Sequence, residues 1–224
     1  MKMIDYRNFR LKKLTEPEYK HILLLLFWPA FGLFFYSAEL FLPLNFHPVE
    51  CGLDAMIPFC EWFVVPYYFW FAFIGWIMVY GFFFDIPAFK NYMWFTIISY
   101  AITAVIYLVY PTMQELRPAE FAHDNIATRI IGRLYSYDTN TNVCPSIHVI
   151  GSLAVMFSAW HSKRYSTPGW RAFFLIAAIL ICSSTVFLKQ HSIIDIFTAL
   201  PICLLTYLFV YRKILFRKKE ENRQ

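Results

Sequence analysis

The chain has 224 residues, of which 59% are hydrophobic and only 16% are charged. A soluble domain usually carries about 25% charged residues, so the composition argues against a soluble enzyme and for an integral membrane protein. The formal net charge of +5 does not indicate a nucleic-acid partner, because the basic residues gather near the two ends of the chain. The five cysteines have no zinc-binding spacing, although Cys51 and Cys60 fall in one predicted loop and a disulfide between them stays open.

Six apolar stretches approach the roughly 20 residues that a helix needs to cross a bilayer. They are residues 21–44, 61–84, 92–110, 145–161, 169–189 and 191–211. The fourth stretch is the weakest, because it is short and contains glycine and serine. The sequence therefore predicts an all-α polytopic membrane protein with six transmembrane helices. Its membrane domain, residues 21–211, lies between a basic amino terminus, residues 1–20, and a basic tail, residues 212–224.

Most of the 20 Lys and Arg residues lie near the chain ends and in two short connections, residues 85–91 and 162–168. The positive-inside rule places these connections and both termini in the cytoplasm. The longer connections, residues 45–60 and 111–144, then lie on the outer side. Only a few basic residues fall on that side, namely Arg117, Arg129, Arg133 and Lys189. Two of these arginines are four residues apart among apolar residues of the same spacing, which predicts a short amphipathic helix at the interface.

The first candidate motif is residues 142–148, which reads Asn-Val-Cys-Pro-Ser-Ile-His and begins the fourth apolar stretch. Proline is tolerated in the first turn of a helix, where its missing N–H would be unpaired anyway. The amides of Ser146, Ile147 and His148 then lack intrahelical partners, which makes a site for an anion. A hydroxyl and an imidazole stand at the mouth of this site.

The second candidate motif is His191 and Asp195, at the start of the sixth apolar stretch. Residues four apart share a face of a helix, so the carboxylate can orient and charge the imidazole. Both motifs fall at the outer membrane face, a placement that was not used to define the spans. Two histidines, one backed by a carboxylate, beside an anion site indicate phosphoryl transfer through a covalent histidine.

A third element, Arg117-Pro118, completes a resemblance to the superfamily of type 2 phosphatidic acid phosphatases and vanadium haloperoxidases. That family shows Lys, six residues and Arg-Pro; then Pro-Ser-Gly-His; then Ser-Arg, five residues, His, three residues and Asp. Residues 117–118, 145–148 and 191–195 match these motifs in the same order. In architecture the resemblance covers roughly residues 60 to 211.

Three positions depart from the family pattern. Tyr110 stands where the Lys is expected, Ile147 replaces the Gly, and Thr185 replaces the Arg of the third motif. The loss of the Lys and the replacement of the Gly resemble the branch that contains inositol phosphotransferases and sphingomyelin-synthase relatives. Because a phosphoryl group in transfer needs cationic partners, we predict that Lys189 and Arg133 replace the missing cations.

The resemblance implies a role for each matching residue. His191 attacks phosphorus and becomes a phosphohistidine, while Asp195 holds its other ring nitrogen. His148 protonates the leaving oxygen and then activates the acceptor. Ser146, the helix-start amides and Arg117 hold the phosphoryl oxygens. No cofactor or metal ion is predicted, since the sequence shows no carboxylate cluster that would bind one.

These observations predict a lipid phosphate phosphatase, a hydrolase of phospholipid metabolism that acts at the outer face of the plasma membrane. Its expected partners are a lipid phosphate substrate and membrane lipids, with no nucleic acid, and the oligomeric state stays open. The alternative is a lipid phosphotransferase that passes the phosphoryl headgroup to an alcohol, as inositolphosphoryl- or sphingomyelin-synthase relatives do. A transporter, suggested by Glu39 inside the first span, and an inactive lipid-binding relative are less favoured. No internal repeat supports the first, and both retained histidines argue against the second.

Overall fold

The computed structural model describes residues 6–41 and 45–212, and this part of the chain is almost entirely helical. The helices are α1 (Phe27–Phe41), α2 (Gly52–Met56), α3 (Val64–Phe84), α4 (Ile86–Val109), α5 (Ile126–Tyr137), α6 (Ile147–Trp160), α7 (Pro168–Phe187) and α8 (Ile193–Val210). Short 3-10 helices precede α1 and α3, and a further one lies at Leu11–Lys13. Two short strands, β1 (His47–Pro48) and β2 (Thr112–Met113), pair in parallel. The prediction of an all-α membrane protein is confirmed.

Five helical segments in the described part of the chain are long and apolar enough to cross a membrane. They are Lys20–Leu40, Glu61–Phe84, Ile86–Val109, Pro168–Phe187 and Ile193–Val210. The remaining predicted span, the fourth stretch at residues 145–161, corresponds to α6, which has only 14 residues. At about 1.5 Å per residue it is shorter than the hydrocarbon core of a bilayer, which is about 30 Å thick. The count of six spans and the cytoplasmic placement of the termini therefore stay predictions.

Helix α6 lies in the centre of the bundle, where it packs against α3, α4, α7 and α8. Ten of its 14 residues are buried, so it is covered by protein on nearly every side. A Cβ atom on Gly151 would lie 3.0 Å from side-chain atoms of both Trp70 and Tyr100, so a larger residue would require these side chains to shift. The small residues that made this stretch a weak span prediction are thus explained by its central position.

At one end of the bundle, the two short connections are tied together by Asp85. This residue is the only one between α3 and α4, so the predicted connection 85–91 is mostly helix. Its carboxylate accepts a hydrogen bond from the N–H of Ala88 and another from the N–H of Lys163, at 3.3 and 2.9 Å. Both short connections therefore lie at the same end of the molecule, as the charge pattern predicted.

Longer segments cover the other end. Helix α5 is the predicted amphipathic helix: Ala127, Ile131 and Leu134 are buried against the start of α3, while Arg129 and Arg133 are exposed. It begins with a capping box, in which Asn125 and the residue three positions on exchange hydrogen bonds.

All five cysteines carry free thiols, so the disulfide considered above is not formed.

Candidate active site

A small cavity opens at this covered end of the bundle, where the helices that carry the sequence motifs begin. Its volume is about 330 Å³, including the part open to the surface. The lining residues are Phe35, Asp138, Thr139, Thr141, Asn142, Val143, Ile147, His148, Gln190 and His191. The structure therefore brings the two predicted catalytic histidines, which are 43 positions apart in the sequence, to one cavity.

His191 is held by the carboxylate of Asp195. Its Nδ1 atom lies 2.8 Å from Asp195 Oδ2, and the carboxylate is fully buried. The prediction that His191 and Asp195 share a face of a helix was wrong, because His191 lies two residues before the start of α8. The contact forms because Asp195 is the third residue of the helix and folds back in a capping box, where it also accepts the N–H of Ser192 at 3.2 Å.

His148 is the second residue of α6 and faces His191. The ring centroids of the two histidines are 5.5 Å apart, so one phosphoryl group can contact both rings. The His148 ring packs against the rings of Trp70 and Tyr67, at centroid distances of 4.4 and 4.8 Å. Its Nδ1 atom is buried and has no hydrogen-bond partner among the described residues.

Ser146 caps α6 and joins the two motifs. Its N–H donates to the carbonyl oxygen of Asp195 at 3.1 Å. Contrary to the prediction, this amide is therefore not available to an anion. The amides of Ile147 and His148 are at the helix start, where no intrahelical acceptor exists for them. The Ser146 hydroxyl is buried and has no partner within the described residues. Tyr107 on α4 fixes the turn by donating to the carbonyl of Pro145 at 2.7 Å.

Arg117 lies behind the cavity wall rather than in the cavity lining. Its Nη2 atom donates to the carbonyl oxygens of Asp138 and Thr139, at 2.8 and 3.0 Å, and to the side-chain oxygen of Gln190. Its guanidinium also lies over the ring of Tyr135, 4.5 Å from the centroid. Burial lowers the pKa of Arg117, yet an arginine remains charged at neutral pH. It therefore holds a positive charge against three residues that line the cavity.

Asp138 brings a second carboxyl group to the cavity. Its Oδ2 atom accepts hydrogen bonds from the Tyr67 hydroxyl and from Gln190 Nε2, at 3.0 and 3.1 Å. Burial raises the pKa of Asp138 above its ordinary value, although the Tyr67 hydrogen bond and the nearby His191 and Arg117 act in the opposite direction. This carboxyl therefore keeps its proton to a higher pH than an exposed aspartate does.

Lys189 and Arg133, the predicted replacements for the missing cations, are not brought to the cavity. The Lys189 ammonium donates to the carbonyl oxygens of Asp54 and Ile57, at 2.7 and 2.5 Å, and lines a separate pocket. Arg133 is exposed, and its side chain makes no hydrogen bond or ion pair with the described residues. The geometry thus supports a structural role for Lys189 rather than the predicted phosphate contact.

The two positions where the family pattern has a cation also serve structural contacts. Tyr110 stacks on His47 with a centroid distance of 4.2 Å, and the Thr185 hydroxyl donates to the carbonyl of Cys182 at 2.8 Å. Among the described residues, no lysine or arginine side chain lines the histidine cavity.

Asp54 is a site residue that the sequence did not reveal. It lies in α2, is 1% exposed, and accepts hydrogen bonds from the Ser192 hydroxyl and the Ile193 N–H at 2.6 and 2.8 Å. Burial acts to raise the pKa of Asp54, but these hydrogen bonds and that of Cys51 outweigh it and leave the pKa below its ordinary value. The contact spans 138 positions, so no local pattern signals it.

Three further polar residues at the cavity were also missed or left unassigned. Asn142 is the first residue of the first motif but was given no role, and Gln190 directly precedes the second motif, so their position at the motifs is the signal that could have identified them. Glu39, which the sequence placed inside the first span, was given no role in the site. Its carboxylate accepts hydrogen bonds from the hydroxyls of Thr139 and Thr141, at 2.6 and 2.9 Å, which ties the end of α1 to the cavity wall.

The apolar helices and the facing histidines define an integral membrane protein with a site suited to phosphoryl transfer. A family model described as the PAP2 superfamily matches residues 88–219, which is more than half of the chain and includes every matched motif. The chain belongs to the PAP2 superfamily, and the resemblance inferred from the motifs is confirmed at that level. No curated protein and no solved structure matches the chain. The branch within the superfamily stays a prediction.

Proposed function

We propose that this protein is a lipid phosphatase that hydrolyses a phosphate ester or anhydride through a phosphohistidine on His191. The contact between His191 Nδ1 and the buried carboxylate of Asp195, at 2.8 Å, carries the proposal. An ionised carboxylate only accepts hydrogen bonds, so Nδ1 carries the hydrogen and Nε2 keeps its lone pair. The second ring nitrogen is then the nucleophile, held in one orientation.

His148 acts as the acid and base of the reaction. As Nε2 of His191 forms a bond to phosphorus, the bond from phosphorus to the lipid oxygen breaks, and His148 gives that oxygen a proton. In the second step His148 takes a proton from water, whose oxygen bonds to phosphorus as the phosphorus–nitrogen bond breaks. The centroid distance of 5.5 Å between the rings supports this exchange of roles.

The phosphoryl oxygens are held by groups at the start of α6. Ile147 and His148 line the cavity, and their amides have no intrahelical acceptor, so these amides donate to the phosphoryl oxygens. The Ser146 hydroxyl, buried beside them and without a partner among the described residues, is assigned to the same oxygens, and such fixed donors stabilise the charge that develops in the transition state. Arg117 lies behind the cavity wall, where it donates to Gln190, and its positive charge acts on the phosphoryl group from there.

The substrate is a lipid, because the cavity lies at the end of apolar helices and Phe35 of α1 forms part of its lining. A phospholipid presents its phosphate at the membrane interface, at the depth where such helices end. The charge pattern supports an orientation in the membrane: with six spans and both termini in the cytoplasm, the cavity lies at the outer face. We propose that this membrane is the plasma membrane.

The alternative function is a lipid phosphotransferase, in which an alcohol takes the place of water in the second step. The hydroxyls of Thr139 and Thr141 and the carboxyl of Asp138, all in the cavity lining, favour it because they can hold the hydroxyl groups of an acceptor. The first step and the role of His191 are the same in both functions.

The test measures phosphate release by the detergent-purified protein in the presence of a metal chelator. The substrates are phosphatidate, phosphatidylglycerol phosphate, a polyprenyl diphosphate and a sphingoid phosphate. We expect His191→Ala to lower the rate by a factor on the order of 10³ or more, as loss of a nucleophile does. The matched control is His123→Ala, since His123 is 71% exposed and contacts Glu61 away from the cavity.

Each outcome has a clear meaning. Release by the wild type and by His123→Ala, but not by His191→Ala, supports the proposal. A wild-type rate in His191→Ala contradicts the mechanism. If phosphate is released from no substrate, an alcohol acceptor is added, and His191-dependent transfer to it selects the phosphotransferase. The absence of both reactions rejects the proposed function.

A further inference from the structure

Among the described residues, the lining of the histidine cavity offers no cationic side chain that could pair with the negative charge of a phosphoryl group. Its lining contains two amide side chains, Asn142 and Gln190, but no lysine or arginine among the described residues. The two amides differ in their surroundings. Gln190 is already bonded, because its oxygen accepts from Arg117 and its Nε2 donates to Asp138.

Asn142, in contrast, has an unused side chain. It is 3% exposed, and neither Nδ2 nor Oδ1 has a hydrogen-bond partner within the described residues. Leaving a buried amide unpaired costs free energy, so such groups are rare and usually have a reason. In a cavity that also contains His148 and His191, a ligand that supplies the missing partner is that reason.

The backbone around Asn142 is fixed on both sides. Its N–H donates to the carbonyl oxygen of Thr112 at 2.6 Å, and the N–H of Cys144 donates to the hydroxyl of the same threonine at 3.0 Å. Asn142 also has a left-handed conformation with φ of 51°, which asparagine adopts more readily than most residues. These contacts fix the backbone that carries the Asn142 side chain.

We propose that Asn142 is a phosphate-binding residue, whose Nδ2 donates a hydrogen bond to a non-bridging phosphoryl oxygen of the substrate. This inference rests on the proposed phosphoryl transfer at His191. Asn142 lines the cavity together with His148, whose Nδ1 atom is also buried and without a partner among the described residues.

A different explanation is that Asn142 serves only the left-handed turn, and two substitutions separate the explanations. Asn142→Gly favours the same backbone conformation but removes the amide. Asn142→Asp keeps the shape of the side chain but replaces the Nδ2 donor with an oxygen. Asn140→Asp is the matched control, because Asn140 lies in the same segment, is outside the cavity lining, and donates from its own Nδ2 to the carbonyl of Gln114 at 2.7 Å.

The first measurement is the kinetics of phosphate release by the full-length protein and its inhibition by orthovanadate, a phosphate analogue. We expect Asn142→Gly to lower kcat/KM by a factor on the order of 10², as loss of one donor to a phosphoryl or oxyanion oxygen does. Asn142→Asp should lower it further, and both variants should need more vanadate for inhibition. Asn140→Asp should keep the wild-type values. Wild-type kinetics in Asn142→Gly would show that only the turn matters and would overturn the inference.

The second measurement needs no turnover, so it separates this inference from the proposed function. Thermal unfolding is followed with and without orthovanadate for the wild type, Asn142→Asp and Asn140→Asp. The inference expects vanadate to raise the Tm of the wild type and of Asn140→Asp, but not that of Asn142→Asp. Equal stabilisation of all three proteins, or none of the wild type, overturns it. If the wild type binds vanadate through Asn142 yet releases no phosphate, the proposed function fails and the binding site stands.

Discussion

The contact between Asp54 and the start of α8 leads to a prediction for Asp54→Asn. Oδ1 of this buried carboxylate accepts from the N–H of Ile193, and Oδ2 accepts from the N–H of Cys51 and the hydroxyl of Ser192. Asparagine has the same shape, but one of its two terminal atoms is a donor. In either orientation of the amide, its NH2 group meets a backbone N–H, so one buried donor must lose its acceptor.

The expected cost follows from these contacts. A buried donor without an acceptor costs about 1–3 kcal/mol, and loss of a negative charge at a helix start costs about 0.3–1 kcal/mol more. For a chain of this length, each kcal/mol corresponds to a Tm shift of roughly 2–4 °C. We therefore expect the Tm of Asp54→Asn to fall by several degrees. Because Ser192 adjoins His191, displacement of this turn should also lower kcat by about 10- to 100-fold.

The assay combines thermal unfolding in detergent with the rate of phosphate release. The control is Asp124→Asn, since Asp124 pairs with Arg129 at the surface and exposed pairs contribute only about 0–1 kcal/mol. The folded-state pKa of Asp54 is lowered, so its stabilisation is fully present above the unfolded value of about 3.9 and is lost as the pH falls through the folded pKa. An unchanged Tm and rate in Asp54→Asn at neutral pH would refute the reasoning.

Two further predictions concern Lys189 and Asp138. Lys189→Met removes the hydrogen bonds from the ammonium to the carbonyls of Asp54 and Ile57, so it should lower the Tm while inhibition by vanadate stays unchanged. Weaker inhibition at an unchanged Tm would instead return Lys189 to the phosphate site. The folded-state pKa of Asp138 is raised, so its contribution is greatest below the unfolded value of about 3.9 and is lost as the pH rises through the folded pKa. Asp138→Asn should lack this loss, and parallel curves of Tm against pH for the variant and the wild type would contradict the assignment.

Apolar runs predicted most of the helices because a span must be apolar along its whole length. The predicted stretch 169–189 and the observed Pro168–Phe187 differ by two residues at most. The third stretch was predicted to begin at residue 92, whereas α4 begins at Ile86, because polar residues near a helix start look like a connection. The short α6 was difficult for another reason: hydropathy measures the apolar character of a segment, not whether lipid or protein covers it.

The candidate site was predictable where the spacing of residues fixes a contact. The pairing of His191 with Asp195 was expected, although it forms through a helix cap instead of a helical face. The direction of Lys189 could not be predicted, because the residue has a positive φ of 53° and its partners lie in a distant segment. The role of Asp54 was hidden for the same reason, since α2 was read as part of a loop.

The absence of the two family cations is compatible with catalysis because the histidine pair is positioned by other contacts. The Ser146 N–H donates to the carbonyl of Asp195, so the starts of α6 and α8 are joined directly. Asp54 fixes the start of α8 from a third segment, and Tyr107 fixes the start of α6 from a fourth. None of these contacts involves the positions where a cation is missing. We therefore expect the presence of Tyr110 and Thr185 at the two cation positions to change the affinity for phosphate but not the geometry between His191 and His148.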